Sequence, residues 1–192
     1  MLFSTQEKPA APAKVSTEAR ASQALPTDLV DTFGGSLREL QQTVAEIAPD
    51  RFLHFVTAGK WSSHQLLSYL IAQTGPVHLR MCTWSMTEDP CRALLQLRNK
   101  GQLLSAECVL SERISERTPT VYQLARNVFD KIKLAKLHAK VMVLYNDAWK
   151  VTIVGSANLT RNPKMEAGII DTHAASAEFH LKWLQHELDK VD

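Results

Sequence analysis

The sequence has little of what would assign it at sight. Cysteine is scarce: Cys82, Cys91 and Cys108 are the only three in 192 residues. An odd number without a closely spaced pair argues against a disulfide framework and against a metal-binding spacing. Cys82 and Cys108 fall in apolar, strand-like runs, which predicts buried, reduced thiols and a cytoplasmic setting. No apolar run approaches the roughly 20 residues that a membrane helix needs, so no stable membrane association is expected. The start, Met1-Leu2-Phe3-Ser4-Thr5-Gln6, lacks a basic stretch leading into a long apolar one, so no signal peptide is evident. Charge of one sign is also missing: the net +2 is too small to argue for an anionic partner by itself. There is no internal repeat and no cluster of His, Asp or Glu suited to a metal.

What is present is an ordinary globular composition, 45% hydrophobic and 22% charged, in a length that suffices for one domain. Residues 1–27 are rich in Ala, Pro, Lys, Ser and Thr and predict a disordered tail. Folding is expected over 28–192. Ser36-Leu37-Arg38-Glu39 reads as a capping box before an apolar stripe of Leu37, Leu40, Val44 and Ile47. Strands are then predicted over 51–57, 77–84 and 103–110. Between and after them come helices starting at Ser63, at Asp89-Pro90 and at Thr118-Pro119. Two further strands, 136–145 and 150–154, are joined through Asn146-Asp147-Ala148-Trp149 as a hairpin. A strand over 166–171 and a helix from about Ala174 complete the chain. The alternation predicts an α/β fold, an α/β/α sandwich with a central mixed β-sheet.

Chemistry concentrates between 138 and 166. His138 and Lys140 are two residues apart, so on an extended chain they share a face, with Cα atoms roughly 6.6 Å apart at ~3.3 Å per residue. Ser156 and Asn158 repeat that spacing after the next strand, and the hairpin can bring the two pairs together. Gly155 would allow close backbone approach to a ligand. An imidazole can attack phosphorus or carry a proton near neutral pH. Lys140 offers fixed positive charge, and Ser156 and Asn158 offer donors, to nonbridging oxygens. Glu166 could orient the histidine, as carboxylates do in other triads. The scheme needs no metal and no cofactor. Lys131, Lys133, Lys136, Lys140 and Lys150, with Arg126, outnumber Asp130 and Asp147 across this stretch, which suggests a basic approach for an anionic substrate. Trp61, Ser62 and His64 follow one strand end and Trp84 another, where α/β folds bind ligands. Trp61 and His64 are therefore candidate substrate-binding residues, Trp61 as a stacking surface for a base. The plainer alternative is core packing for Trp61 and a structural role for His64. His54 and His78 read as structural or surface groups, and His173, His180 and His186 as surface or interface groups of the last helix.

His138-x-Lys140, then Gly155-Ser156-x-Asn158 and Glu166, resembles the motif of the phospholipase D superfamily. The Gly-Ser-Ala-Asn-Leu-Thr form is closer to its nuclease branch than to the lipases. The resemblance implies two such motifs at one active site, and this chain carries one, so it implies a homodimer. It also implies that one His138 attacks phosphorus to form a phosphohistidine, and that the other protonates the leaving oxygen and then activates water. Lys140 and Asn158 would bind phosphate, Ser156 would support them, and Glu166 would orient His138. The family's motif often carries an aspartate where this chain has Tyr145. The expected function is a metal-independent phosphodiesterase, a nuclease acting on nucleic acid, with DNA favoured. A non-catalytic nucleic-acid-binding or assembly module on the same fold is one alternative, and a phospholipid phosphodiesterase another.

Overall fold

The computed structural model describes residues 35–161 and 164–191. The tail expected over 1–27, the start of the domain at 28 and the Ser36 side chain of the expected capping box lie outside the described residues. The first helix, α1, spans Gly35–Thr43 and is followed by strand β1, Phe52–Val56. Next come α2 (Ser63–Thr74), β2 (Val77–Thr83), α3 (Glu88–Asn99) and β3 (Leu103–Ser111). A single turn, α4 (Ile114–Arg117), leads into α5 (Pro119–Val128). Strands β4 (Lys131–Ala135), β5 (Val141–Tyr145), β6 (Lys150–Gly155) and β7 (Ala167–Asp171) precede the last helix, α6 (Ala174–Leu188).

Local chemistry explains most boundaries. The cap of α2 is Ser62, one residue before the expected Ser63, because the Gln65 side chain accepts a hydrogen bond from the Ser62 N–H at 2.9 Å. That helix stops at Gly75, whose φ of 75° is one that glycine adopts without strain. α3 carries Glu88 and Asp89 in its first turn and α5 begins with Pro119, both favourable starts.

One expected element divides. Residues 136–145 do not form one strand: β4 lies earlier, at Lys131–Ala135, residues 136–140 form a connection, and β5 begins at Val141. Lys131, Ile132, Lys133 and Leu134 do alternate, but over too short a run to separate from the preceding helix exit. Their strand character comes from parallel pairing with β3, from Glu107 opposite Lys131 to Ser111 opposite Ala135.

The seven strands form one sheet in the order β1-β7-β6-β5-β2-β3-β4. β2, β3 and β4 are parallel, and the remaining pairings are antiparallel. The sheet is therefore mixed, and its two faces bury separate clusters. One face, with Leu79, Met81, Met142, Leu144 and Ile153, packs under α1, α2, α3 and α5. The other, with Cys82, Val109, Val141 and Val143, packs under Ala177, Leu184 and Leu188 of α6. This is the expected α/β/α sandwich. Cys82, Cys91 and Cys108 are buried free thiols, as expected, and burial pushes Cys82 up to about 11 and Cys91 up to about 12. No helix of the described residues is long and apolar enough to cross a membrane.

The strand directions matter most for chemistry. Thr83 ends β2 and Ser111 ends β3, beside Ala135 at the end of β4. Cys82 pairs with Val141 at the start of β5, Val141 with Val154 near the end of β6, and Gly155 with Gly168 near the start of β7. Val56, the end of β1, pairs with Ala167. One edge of the sheet therefore gathers the loops that carry every residue of the motif.

Candidate active site at one edge of the sheet

Lys140 occupies the position just before β5, two residues ahead of Met142, and continues that row toward the face under α2. Only 9% of it is exposed. A small pocket beneath it is lined by Phe55, Trp61, Leu66, Met142 and Ile153. Its ammonium donates to the His138 carbonyl at 2.6 Å and lies 3.2 Å from His138 Nδ1 and 3.4 Å from Nε2. Burial among apolar groups lowers the lysine below its usual range, while Cys82 and Glu166 act in the opposite direction. The pair is thus in direct contact, as the two-residue spacing predicts.

The Gly155–Asn158 segment is fastened beside it. Gly155 N–H donates to the Lys140 carbonyl at 3.3 Å and Ser156 N–H to the Ala167 carbonyl at 3.0 Å. The role expected of Gly155 needs correction. A Cβ there would lie 3.0 Å from the Ala167 carbonyl oxygen, so the close approach is strand to strand rather than backbone to ligand. The Ser156 hydroxyl donates to the Glu166 carboxylate. Glu166 thus takes the serine hydroxyl. The His138 ring is met by Lys140 and by Trp84, whose ring centroid lies 5.6 Å away.

Side chains outside the motif hold the motif in place. Thr57, 2% exposed, accepts from Glu166 N–H at 3.1 Å through its hydroxyl, and its own N–H donates to the Glu166 carbonyl at 2.8 Å. Ser63 donates to the Asn158 carbonyl at 2.8 Å. Thr83, 1% exposed, donates to the Ser85 carbonyl at 2.9 Å and accepts from Leu159 N–H at 3.2 Å. Ser63 and Thr83 tie residues 158 and 159 to the start of α2 and the end of β2, and Thr57 ties Glu166 to the end of β1. In sequence Thr57 and Thr83 look like any buried Thr, and Ser63 reads as a helix cap.

Two other expectations are modified. Trp61 is 4% exposed and packs its ring 5.0 Å from that of Phe55, so it belongs to the core and offers no open face to a base. His64 is half-buried, with Nδ1 2.9 Å from the Ser62 hydroxyl, and burial lowers it to about 4, with Asp89 raising and Arg161 lowering it further. It sits at the rim as a neutral group. The basic stretch of the sequence also fails to converge. Lys131 pairs with Asp189 and Lys150 with Glu178, at the opposite ends of their strands from the motif. Lys136 and Lys140 remain at the motif edge, joined there by Arg113 and Arg117 after β3, which the sequence did not single out. Among the described residues no group of three or more His, Cys, Asp or Glu could hold a metal.

No protein-family model matches the chain, and no curated protein matches its sequence. Solved structures do match its fold. A phospholipase D family member, Nuc from Salmonella typhimurium, superposes with a TM-score of 0.56 at 20% identity over 71% of this chain and 93% of its own. NucT from Helicobacter pylori gives 0.54 at 13% identity, over 72% and 97%. Polyphosphate kinase from Porphyromonas gingivalis gives 0.52 at 10% identity, covering 94% of this chain but only 32% of the kinase. The mixed seven-stranded sheet with its flanking helices is thus the fold of phospholipase D family members.

Proposed function

We propose that this chain is a metal-independent phosphodiesterase that hydrolyses nucleic acid through a phosphohistidine at His138. The observation that carries the proposal is the contact of His138 and Lys140 at the sheet edge where Ser156, Asn158 and Glu166 also converge. A buried ammonium beside an imidazole is a poor way to stabilise a fold, because desolvating charge is costly. It is a good way to meet a phosphate. Lys140 neutralises charge on the nonbridging oxygens and the Asn158 carboxamide donates hydrogen bonds to them, and a His138 nitrogen forms the bond to phosphorus as the P–O bond to the leaving group breaks. Glu166 and Ser156 keep the Asn158 loop at its distance.

The leaving oxygen needs a proton, and the water that cleaves the phosphohistidine must lose one. With one motif per chain, the second imidazole comes from His138 of another copy, so the working unit is a homodimer. The surface supports this. α6 packs across β2 to β6, and on the same side of the sheet Phe52 and Val56 of β1 stay 58% and 51% exposed. This exposed face of β1, Phe52, His54 and Val56, ends at the motif edge and suits a second copy.

Cleavage of an oligonucleotide in excess chelator tests the reaction, with His138→Ala as the control. Activity that His138→Ala retains, or that chelator abolishes, contradicts it. A solution mass of one chain at assay concentration contradicts the dimer.

A further inference from the structure

Trp84 is not part of the motif, yet it is the aromatic group that meets His138. It follows directly on Thr83 at the end of β2, half-buried, with its ring centroid 5.6 Å from the imidazole and the planes inclined by 52°. The Arg117 guanidinium lies 5.9 Å from the centre of the same ring. That distance is at the outer limit of a cation–π contact and holds the two only loosely. Arg117 is exposed. Arg80, Arg92 and Arg98 each pair with a carboxylate, whereas no ion pair engages Arg117 among the described residues. Arg113 and Lys136 lie at the same edge, with Glu112 and Glu116 as the carboxylates of that rim.

We infer that Trp84 and Arg117 form a subsite for the nucleotide that flanks the scissile phosphate in a single-stranded nucleic acid. The inference rests on the phosphodiesterase reading and adds a substrate class to it. A phosphodiester held at His138 carries a sugar and base on either side. On the Trp84 side that base meets an indole, and stacking on an aromatic ring is how unpaired bases are held without regard to sequence. The next phosphate then meets a guanidinium, which suits phosphate geometry and whose loose contact with the ring leaves it free to move. A base in a duplex is already stacked on its neighbours and cannot lie on Trp84, so the subsite selects unpaired strands. An acyl chain would gain contact with the indole but nothing from the guanidinium, which separates a nucleotide from a lipid on the same site.

The experiment compares kcat/KM for a single-stranded oligonucleotide with that for methyl p-nitrophenyl phosphate, a diester without a nucleoside. It uses the wild-type full chain, Trp84→Leu, Trp84→Phe, Arg117→Gln and Arg117→Lys. The ratio of the two constants falls roughly ten-fold in Trp84→Leu and recovers largely in Trp84→Phe, as expected for loss of one stacked base. Arg117→Gln lowers the ratio too and reduces the salt slope of oligonucleotide binding by about one ion, with Arg117→Lys intermediate. An unchanged ratio in Trp84→Leu overturns the subsite and leaves the tryptophan as packing for His138. An equal fall on duplex and single strand also overturns it. If the wild-type chain cleaves neither substrate, the phosphodiesterase reading fails on its own. Fluorescence anisotropy of the labelled oligonucleotide then decides the subsite: weaker binding by both Trp84→Leu and Arg117→Gln upholds it, and unchanged binding overturns it.

Discussion

Replacing Lys140 with methionine separates what the site does from what the fold needs. Lys140 is 9% exposed and lines a small pocket with Phe55, Thr57, Trp61, Ser63, Leu66, Met142 and Ile153. Its hydrogen bonds reach the His138 carbonyl and ring, and burial lowers it below the usual lysine range, which means that the fold disfavours its charge. Methionine is unbranched and of similar length, so it can follow the same path and keep the apolar contacts. The His138 carbonyl loses a partner, a cost of about 1 kcal/mol. Relief of the buried charge offsets this, because burial already disfavours the charged lysine. Lys140→Met is therefore predicted to unfold in urea at or above the wild-type midpoint at pH 7. Loss of a preorganised charge at the phosphate should lower kcat by about 10²–10³-fold. Urea titration followed by far-ultraviolet circular dichroism, and cleavage of a fluorescent oligonucleotide, measure the two effects. A variant destabilised by more than about 2 kcal/mol that still cleaves at the wild-type rate would refute the reasoning, because Lys140 would then be structural.

Other perturbations have equally definite outcomes. Thr83→Val removes the hydroxyl that accepts from Leu159 N–H and donates to the Ser85 carbonyl. It should cost about 1–2 kcal/mol and reduce kcat several-fold, with recovery in Thr83→Ser, as urea titration and single-turnover rates would show. Gly168→Ala puts a Cβ 2.6 Å from Phe55 Cζ and 2.7 Å from the Val154 carbonyl oxygen, and a fall in midpoint equivalent to about 1–3 kcal/mol is expected on thermal unfolding. His64 is lowered from 6.5 to about 4, so the fold prefers its neutral form. Its contribution is fully present above pH 6.5 and is lost as pH falls toward 4, by up to about 3 kcal/mol. Unfolding free energies at pH 7 and pH 4.5 should therefore differ less in His64→Gln than in wild type.

The core of the site was legible because the motif is local. Two-residue spacing keeps His138 close to Lys140 even though residues 136–140 form a connection rather than the expected strand, and the hairpin of β5 and β6 is short enough to read from Asn146 to Trp149. The fold class was legible for the same reason, since each strand and helix carries its own period. What was not legible depends on distant partners. β4 is a strand because β3 pairs with it. Trp61 looks like Trp84 in sequence, each placed after a strand, and packing under α2 alone decides which one is buried. Ser63 looked like a helix cap, and its hydroxyl instead serves Asn158, ninety-five positions away. The lysines of 126–150 alternate along strands and turns, so Lys131 and Lys150 end in ion pairs away from the motif, while Arg117 enters from a single helical turn with no periodic signal.

The proposed hydrolysis turns on a bond between His138 and phosphorus. Incubation of the full chain with a single-stranded oligonucleotide in excess chelator, an alkaline quench that preserves phosphohistidine, and peptide mass spectrometry test it most directly. A nucleotidyl phosphate is expected on the peptide carrying His138, transient in time, and none in His138→Asn. Steady cleavage with no adduct at His138, or cleavage that continues in His138→Asn, would contradict it.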